Sequence, residues 1–265
     1  MITPILMLGA GRMGGAMLAG WRKASAFAAG ELMIRDPEPS PPALAAALDG
    51  AALNPADAEL ARARTVVLAV KPQVWREAAA EVAPWLAADA VIVSIAAGIR
   101  AGDIAHEFGG RCTARVMPTT AAAIGQGTAS LFADDPAALA RAHALFEPLG
   151  TVVDLDDEEL MHAATAVSGS APAYLYAFIE ALEAAGMAAG FTGRDAGRLA
   201  RSTLTGAAAL LAQSGEDPAE LRRQVTSPGG TTQAALEVLL GQEGLHPLLR
   251  QAVAAAARRS KELGK

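Results

Sequence analysis

The chain predicts an α/β domain of parallel strands followed by an all-helical domain. Short β-rich runs alternate with Ala-rich helical runs up to about Asp154, the strand signal stops at Asp156-Asp157-Glu158-Glu159, and helical periodicity then continues nearly to the end. With 265 residues, 52% of them hydrophobic and 19% charged, the chain is long enough to bury one substantial core and a smaller one. The expected boundary lies near residue 156, giving domains of 1–156 and 157–265.

In order, residues 5–8, 32–34, 66–70, 91–95 and 114–117 are the clearest strands, with 151–154 as a last one. Helical runs separate them, for example 74–86, 102–108 and 136–146, which is the rhythm of parallel strands joined by crossover helices. The acidic cluster at 156–159 is placed to cap a helix N-terminus. Beyond it, breaks are expected at 168–172, 190–193, 214–218, 227–230 and 241–244. The long runs 173–189 and 196–212 are dense in Ala and Gly, so helices there can approach closely. A tail with so many small apolar faces predicts a core completed against a second copy of the chain; a self-contained bundle is the alternative.

Composition narrows the function. A net charge of -6 without a long basic cluster argues against nucleic acid, whose phosphates demand concentrated Lys and Arg. The single Cys112 cannot form an internal disulfide, and His106, His143, His162 and His246 are too far apart in sequence for a zinc motif, so no metal is expected. Residues 1–8 lack the positive start of a signal peptide, and the longest uncharged stretch, 163–179, is broken by Ser168, Gly169, Ser170 and Pro172. A cytoplasmic protein without membrane attachment is expected.

Gly9-Ala10-Gly11-Arg12-Met13-Gly14 follows the apolar residues 5–8 and opens an amphipathic stretch through Trp21, the layout of a Rossmann-type dinucleotide site. Gly9 allows the tight turn, Gly11 the approach of backbone to pyrophosphate, and Gly14 the packing of helix on strand, while the helix start at Arg12 and Met13 offers N–H groups to phosphate. Asp36, 22 residues beyond Gly14, can accept hydrogen bonds from the adenine ribose hydroxyls and repels a 2′-phosphate. The expected cofactor is NADH or NADPH, with Asp36 leaning toward NADH; a turn-capping role before Pro37 is the other reading of Asp36. Ala69, Val70, Lys71 and Pro72 close a strand at the edge where ligands of open α/β sheets bind. Ser94-Ile95-Ala96-Ala97-Gly98 ends the next strand with residues small enough to admit a nicotinamide ribose.

A second anion-binding turn lies at Val225-Thr226-Ser227-Pro228-Gly229-Gly230-Thr231-Thr232, directly before a helical run. Proline fixes its entry, two glycines allow close backbone approach, and hydroxyls surround the free N–H groups of a helix start. Two such turns in one chain point to a nucleotide and a small acid.

Together with Arg115-Val116-Met117-Pro118 and the run from Thr165 through Ser168-Gly169-Ser170-Ala171-Pro172 to Tyr174, these motifs, in this order, resemble the pyrroline-5-carboxylate reductases. The resemblance implies transfer of hydride from NAD(P)H to the C=N carbon of 1-pyrroline-5-carboxylate, giving L-proline, in a dimer or ring of dimers. It implies that Ser227, Gly229, Gly230, Thr231 and Thr232 hold the substrate carboxylate and that Thr165 lies near the ring nitrogen. The chain departs from the family at Thr119-Thr120-Ala121, where Asn-Thr-Pro is usual, at His162, where Asp is usual, and at Ala171, where Gly is usual. A reductase for a related cyclic imine acid and a non-catalytic dinucleotide-binding dimer are therefore the alternatives. An imine needs no strong base for its reduction, and His162, the one candidate base on the helix after the nucleotide domain, is expected to be an exposed first-turn residue.

Overall fold

A computed structural model describes residues 2–263. Met1, where the segment inspected for a signal peptide begins, and Lys265 lie outside the described residues.

Eight strands form one sheet: β1 (Ile5–Leu8), β2 (Leu32–Arg35), β3 (Ala52–Leu53), β4 (Thr65–Leu68), β5 (Val91–Ser94), β6 (Thr113–Pro118), β7 (Gly127–Phe132) and β8 (Gly150–Asp154). Their order is β3-β2-β1-β4-β5-β6-β7-β8, and every neighbouring pair is parallel except β6 and β7. The direction of strand progression reverses between β1 and β4, which makes the carboxyl edge there the crevice for ligands.

Five helices cover the two faces: α1 (Arg12–Ala24), α2 (Pro41–Leu48), α3 (Trp75–Val82), α4 (Ala101–Glu107) and α5 (Pro136–Phe146). Alternate residues of each strand face opposite sides. Ile5 and Met7 of β1 pack with Met17, Trp21 and Phe146 of α1 and α5, while Leu6 and Leu8 pack with Trp75, Val82, Ile104 and Phe108 on the opposite side. With both faces covered, the strands are apolar runs rather than alternating ones. The indole of Trp21 also donates to the Leu145 carbonyl at 2.7 Å.

Two strands lie outside the sequence expectation. β3 has two residues, and β7 is built largely from small residues, whose alternation of Thr128, Ala129, Ser130 and Leu131 is a weak signal. β4 also ends at Leu68, so Ala69 and Val70 belong to the loop that follows rather than to the strand.

After β8 the chain is helical: α6 (Leu160–Ala164), a π-helical turn (Thr165–Gly169), α7 (Ala171–Ala188), α8 (Gly193–Ser214), α9 (Pro218–Gln224), α10 (Thr231–Leu239) and α11 (Leu245–Leu263). Strand structure thus ends at Asp154, but compaction divides the chain later. One unit runs to Gly169 and takes back the chain from Ala256, and Ser170–Ala255 forms the other. The difference from a boundary near 156 arises because Met161 of α6 packs with Met117 and Phe132 of the sheet. Within the second unit, a Cβ on Gly186 would lie 3.2 Å from the Ala196 Cβ, which shows how small residues bring α7 and α8 together.

Candidate active site

The turn between β1 and α1 is built as the glycine spacing requires. Gly9 has φ +86, and a Cβ there would lie 2.9 Å from Val70 Cγ1 and 3.0 Å from the Ala69 carbonyl oxygen. At Gly14 the Gly9 carbonyl oxygen would stand 2.5 Å from a Cβ, the close packing of helix on turn expected of the third glycine. Gly11 is different, for nothing lies within 4 Å of a Cβ there, so space is open in front of it. Gly11 is also the N-cap of α1 and caps it with no side chain. The first-turn N–H groups of Arg12, Met13 and Gly14 are therefore left for an anion such as pyrophosphate.

Asp36 follows β2 and is 8% exposed. Its Oδ2 accepts from the Ala10 N–H at 2.5 Å and its Oδ1 from the Glu38 N–H at 2.8 Å. The turn-capping role before Pro37 is thus present, and the same carboxylate is fixed against the glycine turn. Each oxygen keeps a further lone pair for a ribose hydroxyl. Asn54, which the sequence reading did not place in the site, clasps this corner: Asp36 N–H donates to its Oδ1 at 2.9 Å and its Nδ2 donates to the Asp36 carbonyl at 3.0 Å. Its φ of +49 is one that Asn adopts more readily than most side-chain-bearing residues, and its partner Asp36 lies 18 residues away, so no local signal marks the clasp. Arg35 turns away to Asp57, at 2.7 Å.

Ala69, Val70, Lys71 and Pro72 form the loop that closes over Gly9, with Lys71 exposed and without an ion pair among the described residues. After β5, Ser94 Oγ accepts the Ala96 N–H at 3.2 Å and Gly98 adopts φ +83, which shapes a tight turn. Ala96 is buried, and Ala97 packs against the cluster formed by Met117, Phe132 and Met161.

The acidic cluster divides its work. Asp157 Oδ1 accepts the Glu159 N–H at 2.9 Å at the entry to α6, while Glu158 accepts the Ala101 N–H at 2.6 Å, at the start of α4, and pairs with Arg115 at 2.9 Å. Arg115 is 3% exposed; burial pushes its guanidinium pKa down, partly offset by Glu158.

In the π-helical turn, Thr165 Oγ1 donates to the Met161 carbonyl at 2.7 Å and Ser168 Oγ to the Ala164 carbonyl at 2.8 Å. Such turns occur often at functional sites. His162 is not the exposed residue the sequence suggests. It is half-buried with Nδ1 3.0 Å from Ser260 Oγ, a partner 98 residues away that no local pattern reveals. Burial, then Arg115, pushes its pKa down, which favours the neutral form of the ring. Thr119 is accounted for by the fold: its hydroxyl accepts the Thr128 N–H at 3.0 Å and aligns β6 with β7.

In the second unit, the octapeptide leads into α10. Gly229 takes φ +69, and its N–H donates to Gln233 Oε1 at 2.7 Å, while the Gly230 N–H donates to the Ser227 carbonyl at 3.0 Å. Gly229 and Gly230 therefore shape the turn rather than leave their N–H groups for an anion, because the turn's own bonds consume both. The N–H groups of Thr231, Thr232 and Gln233 have no acceptor among the described residues. A Cβ on Gly230 would run into Ser227 Oγ, so the glycine makes room for that hydroxyl. Gln233 is the residue that sequence reasoning missed here.

A mostly parallel sheet with a bare glycine turn at its switch point, followed by a helical half, defines a two-domain protein of the dinucleotide-binding class. Residues 158–263 match the family model for pyrroline-5-carboxylate reductase dimerisation, and residues 4–98 match that for NADP oxidoreductase, coenzyme F420-dependent. The pyrroline-5-carboxylate reductase of Pseudomonas aeruginosa is 39% identical over 269 residues, covering 99% of this chain and 98% of the relative. That of Synechocystis is 37% identical, covering 98% and 97%. The solved pyrroline-5-carboxylate reductase from Coxiella burnetii matches with a TM-score of 0.90 at 28% identity over 100% of both chains. The pyrroline carboxylate reductase from Plasmodium falciparum, solved with NADP bound, matches with 0.84 at 25% identity over 99% and 98%.

The chain belongs to the pyrroline-5-carboxylate reductase family. It is an NAD(P)H-dependent oxidoreductase whose helical half is a dimerisation domain, and so a homo-oligomer. Among the described residues, no group of His, Cys, Asp and Glu could hold a metal ion, and no helix is long and apolar enough to cross a membrane.

Proposed function

We propose that this protein reduces 1-pyrroline-5-carboxylate to L-proline with NAD(P)H. The observation that carries the reading is the start of α10, where the N–H groups of Thr231 and Thr232 are unpaired beside the Ser227 and Thr232 hydroxyls. A carboxylate is the acceptor such a group of donors suits, each charge-assisted bond being worth roughly 1.5–3 kcal/mol.

The open space at Gly11, the bare N-terminus of α1 and the fixed Asp36 fit a dinucleotide. When bound, the reduced nicotinamide supplies the hydride. Thr165 supplies orientation rather than a proton. Its own hydroxyl hydrogen is committed to the Met161 carbonyl, so toward the substrate the oxygen presents lone pairs. In this reading Thr165 accepts the N–H of an imine that arrives protonated; hydride forms the new C–H bond and the C=N π electrons settle on nitrogen. Ser227, Thr231 and Thr232 hold the other end of the ring, with Gly229 and Gly230 shaping their turn. Alignment and exclusion of water then do the work that a base does in alcohol oxidation.

The Asp36 carboxylate favours NADH, since a 2′-phosphate would meet it directly. Arg12, Met13, Ala69, Val70, Lys71, Pro72, Ala96 and Ala97 line the cofactor's path in this proposal. The helical domain, 157–265, is the substrate-binding and dimerising part, and dimers or rings of dimers in a cytoplasm complete the picture. Loss of nicotinamide absorbance on mixing the protein with the cyclic imine acid tests the reading, and absence of turnover with either cofactor overturns it. Asp36→Ser should shift the kcat/KM ratio toward NADPH by about tenfold or more. An unchanged ratio removes Asp36 from the site.

A further inference from the structure

We propose that the last turns of α11 are a positioning element for the reduction, in which Ser260 and Lys261 hold the segment carrying Thr165 in its working place. The proposal rests on the role given to Thr165 above. Ser260 is the only buried residue of α11 among those described. Its hydroxyl meets His162, one helical turn before Thr165, and Lys261 Nζ lies 2.8 Å from Glu159 Oε2.

The contacts continue inward. The other Glu159 oxygen lies 2.7 Å from Arg100, which follows the turn at Ala96, Ala97 and Gly98. Lys261, then Arg100, hold the Glu159 carboxyl down to about 2, so the link stays ionised throughout the neutral range. One run of polar contacts therefore joins α11, the start of α6 and the loop after β5.

Two arguments make this positioning rather than bulk stability. Lys261 and Glu159 are 61% and 41% exposed, and exposed ion pairs add little to folding. By contrast, α6 gives way after five residues to the π-helical turn, so the regular helix around His162 is short and depends on its contacts for its exact place. Met161 fixes it from the core side. On the other side, the anchors of His162 and Glu159 include Ser260 and Lys261; without them Arg100 and the bonds of Glu158 still hold the start of α6, and the part from His162 onward gains the freedom to carry the Thr165 hydroxyl off its line. Displacements of this kind are costly in rate and cheap in stability.

The test is the Ser260→Ala/Lys261→Met double variant in the full chain. The expected result is a fall in kcat of about tenfold with cofactor affinity unchanged and the unfolding midpoint within about 3 °C of the parent. Lys261→Arg should keep the parental kcat, and hydrogen exchange of amides 160–169 should speed up in the double variant only. Unchanged kcat and exchange would overturn the proposal. So would a joint loss of kcat, cofactor affinity and midpoint that Lys261→Arg shares, which is the mark of a merely structural contact. A parent protein that fails to reduce the imine acid would refute the functional reading instead, and the exchange measurement would still decide whether α11 orders α6.

Discussion

The two compact units are comparably apolar in sequence and bury their apolar residues very differently. In the first, β1, β4 and β5 are buried along their whole length, and Trp21, Phe108 and Phe146 are almost wholly enclosed. In the second, α7 buries none of its 18 residues and α8 buries only Ala196, Gly197 and Ala200, while Leu175, Tyr176, Phe178 and Leu182 stay exposed on one helix. A helix with apolar residues on so many faces needs a surface beyond its own unit. The comparison teaches that one unit encodes a core and the other encodes half of an interface.

The sharpest way to break that comparison is to damage each part and see what fails. Trp21→Ala removes a buried indole and leaves the Leu145 carbonyl without its donor, so it should cost roughly 3–5 kcal/mol, read from the urea midpoint. A loss below 1 kcal/mol would mean that the first unit's core is not the stabilising body described here. Phe178→Glu should act on association instead. Placing a charge on the α7 face is expected to weaken self-association by about a hundredfold, seen as a lower mass in light scattering at micromolar protein. An unchanged mass would show that this face of α7 is not the one that pairs.

Between these extremes lies the cradle. Thr232→Ala should raise KM for the imine acid about tenfold, the worth of one charge-assisted bond, and leave cofactor affinity within twofold. Equal loss of both would place the octapeptide at the cofactor.

How far the sequence carries depends on how local each signal is. The glycine turn, the strands flanking it and the breaks between helices are written in neighbouring residues, and the fold follows them closely. Asp36 was legible as a carboxylate at the end of a strand; its clamp on Ala10 was not, because that bond joins positions 26 residues apart. The acidic cluster at 156–159 is legible as a helix cap, a role Asp157 fills, but the pairing of Glu158 with a buried Arg115 in β6 and with the start of α4 is not. β7 escaped because Gly127, Thr128, Ala129 and Ser130 carry too little apolar bulk to stand out as a strand, although they continue the ladder with β6 and β8. Gly229 and Gly230 are legible as turn residues, yet nothing local reveals that Gln233 and Ser227 occupy their N–H groups.

The smallest effect concerns the rim of the first unit, where His143 of α5 sits between Glu147 at 2.9 Å and Asp154 of β8 at 2.8 Å. Burial lowers its pKa, but the bonds to Glu147 and Asp154 outweigh that and raise it above the ordinary 6.5. A group whose folded pKa is raised stabilises fully below its unfolded pKa and loses that contribution as pH climbs through the folded value. Unfolding free energy should therefore decline as pH rises above 6.5, by no more than about 1 kcal/mol because the ring is 29% exposed and screened. His143→Gln should flatten this slope while leaving the oligomer's mass alone. A slope that survives the substitution would assign the pH dependence elsewhere, and a change of mass would mean that α5 and β8 also take part in association, blurring the division between a unit that is core and a unit that is interface.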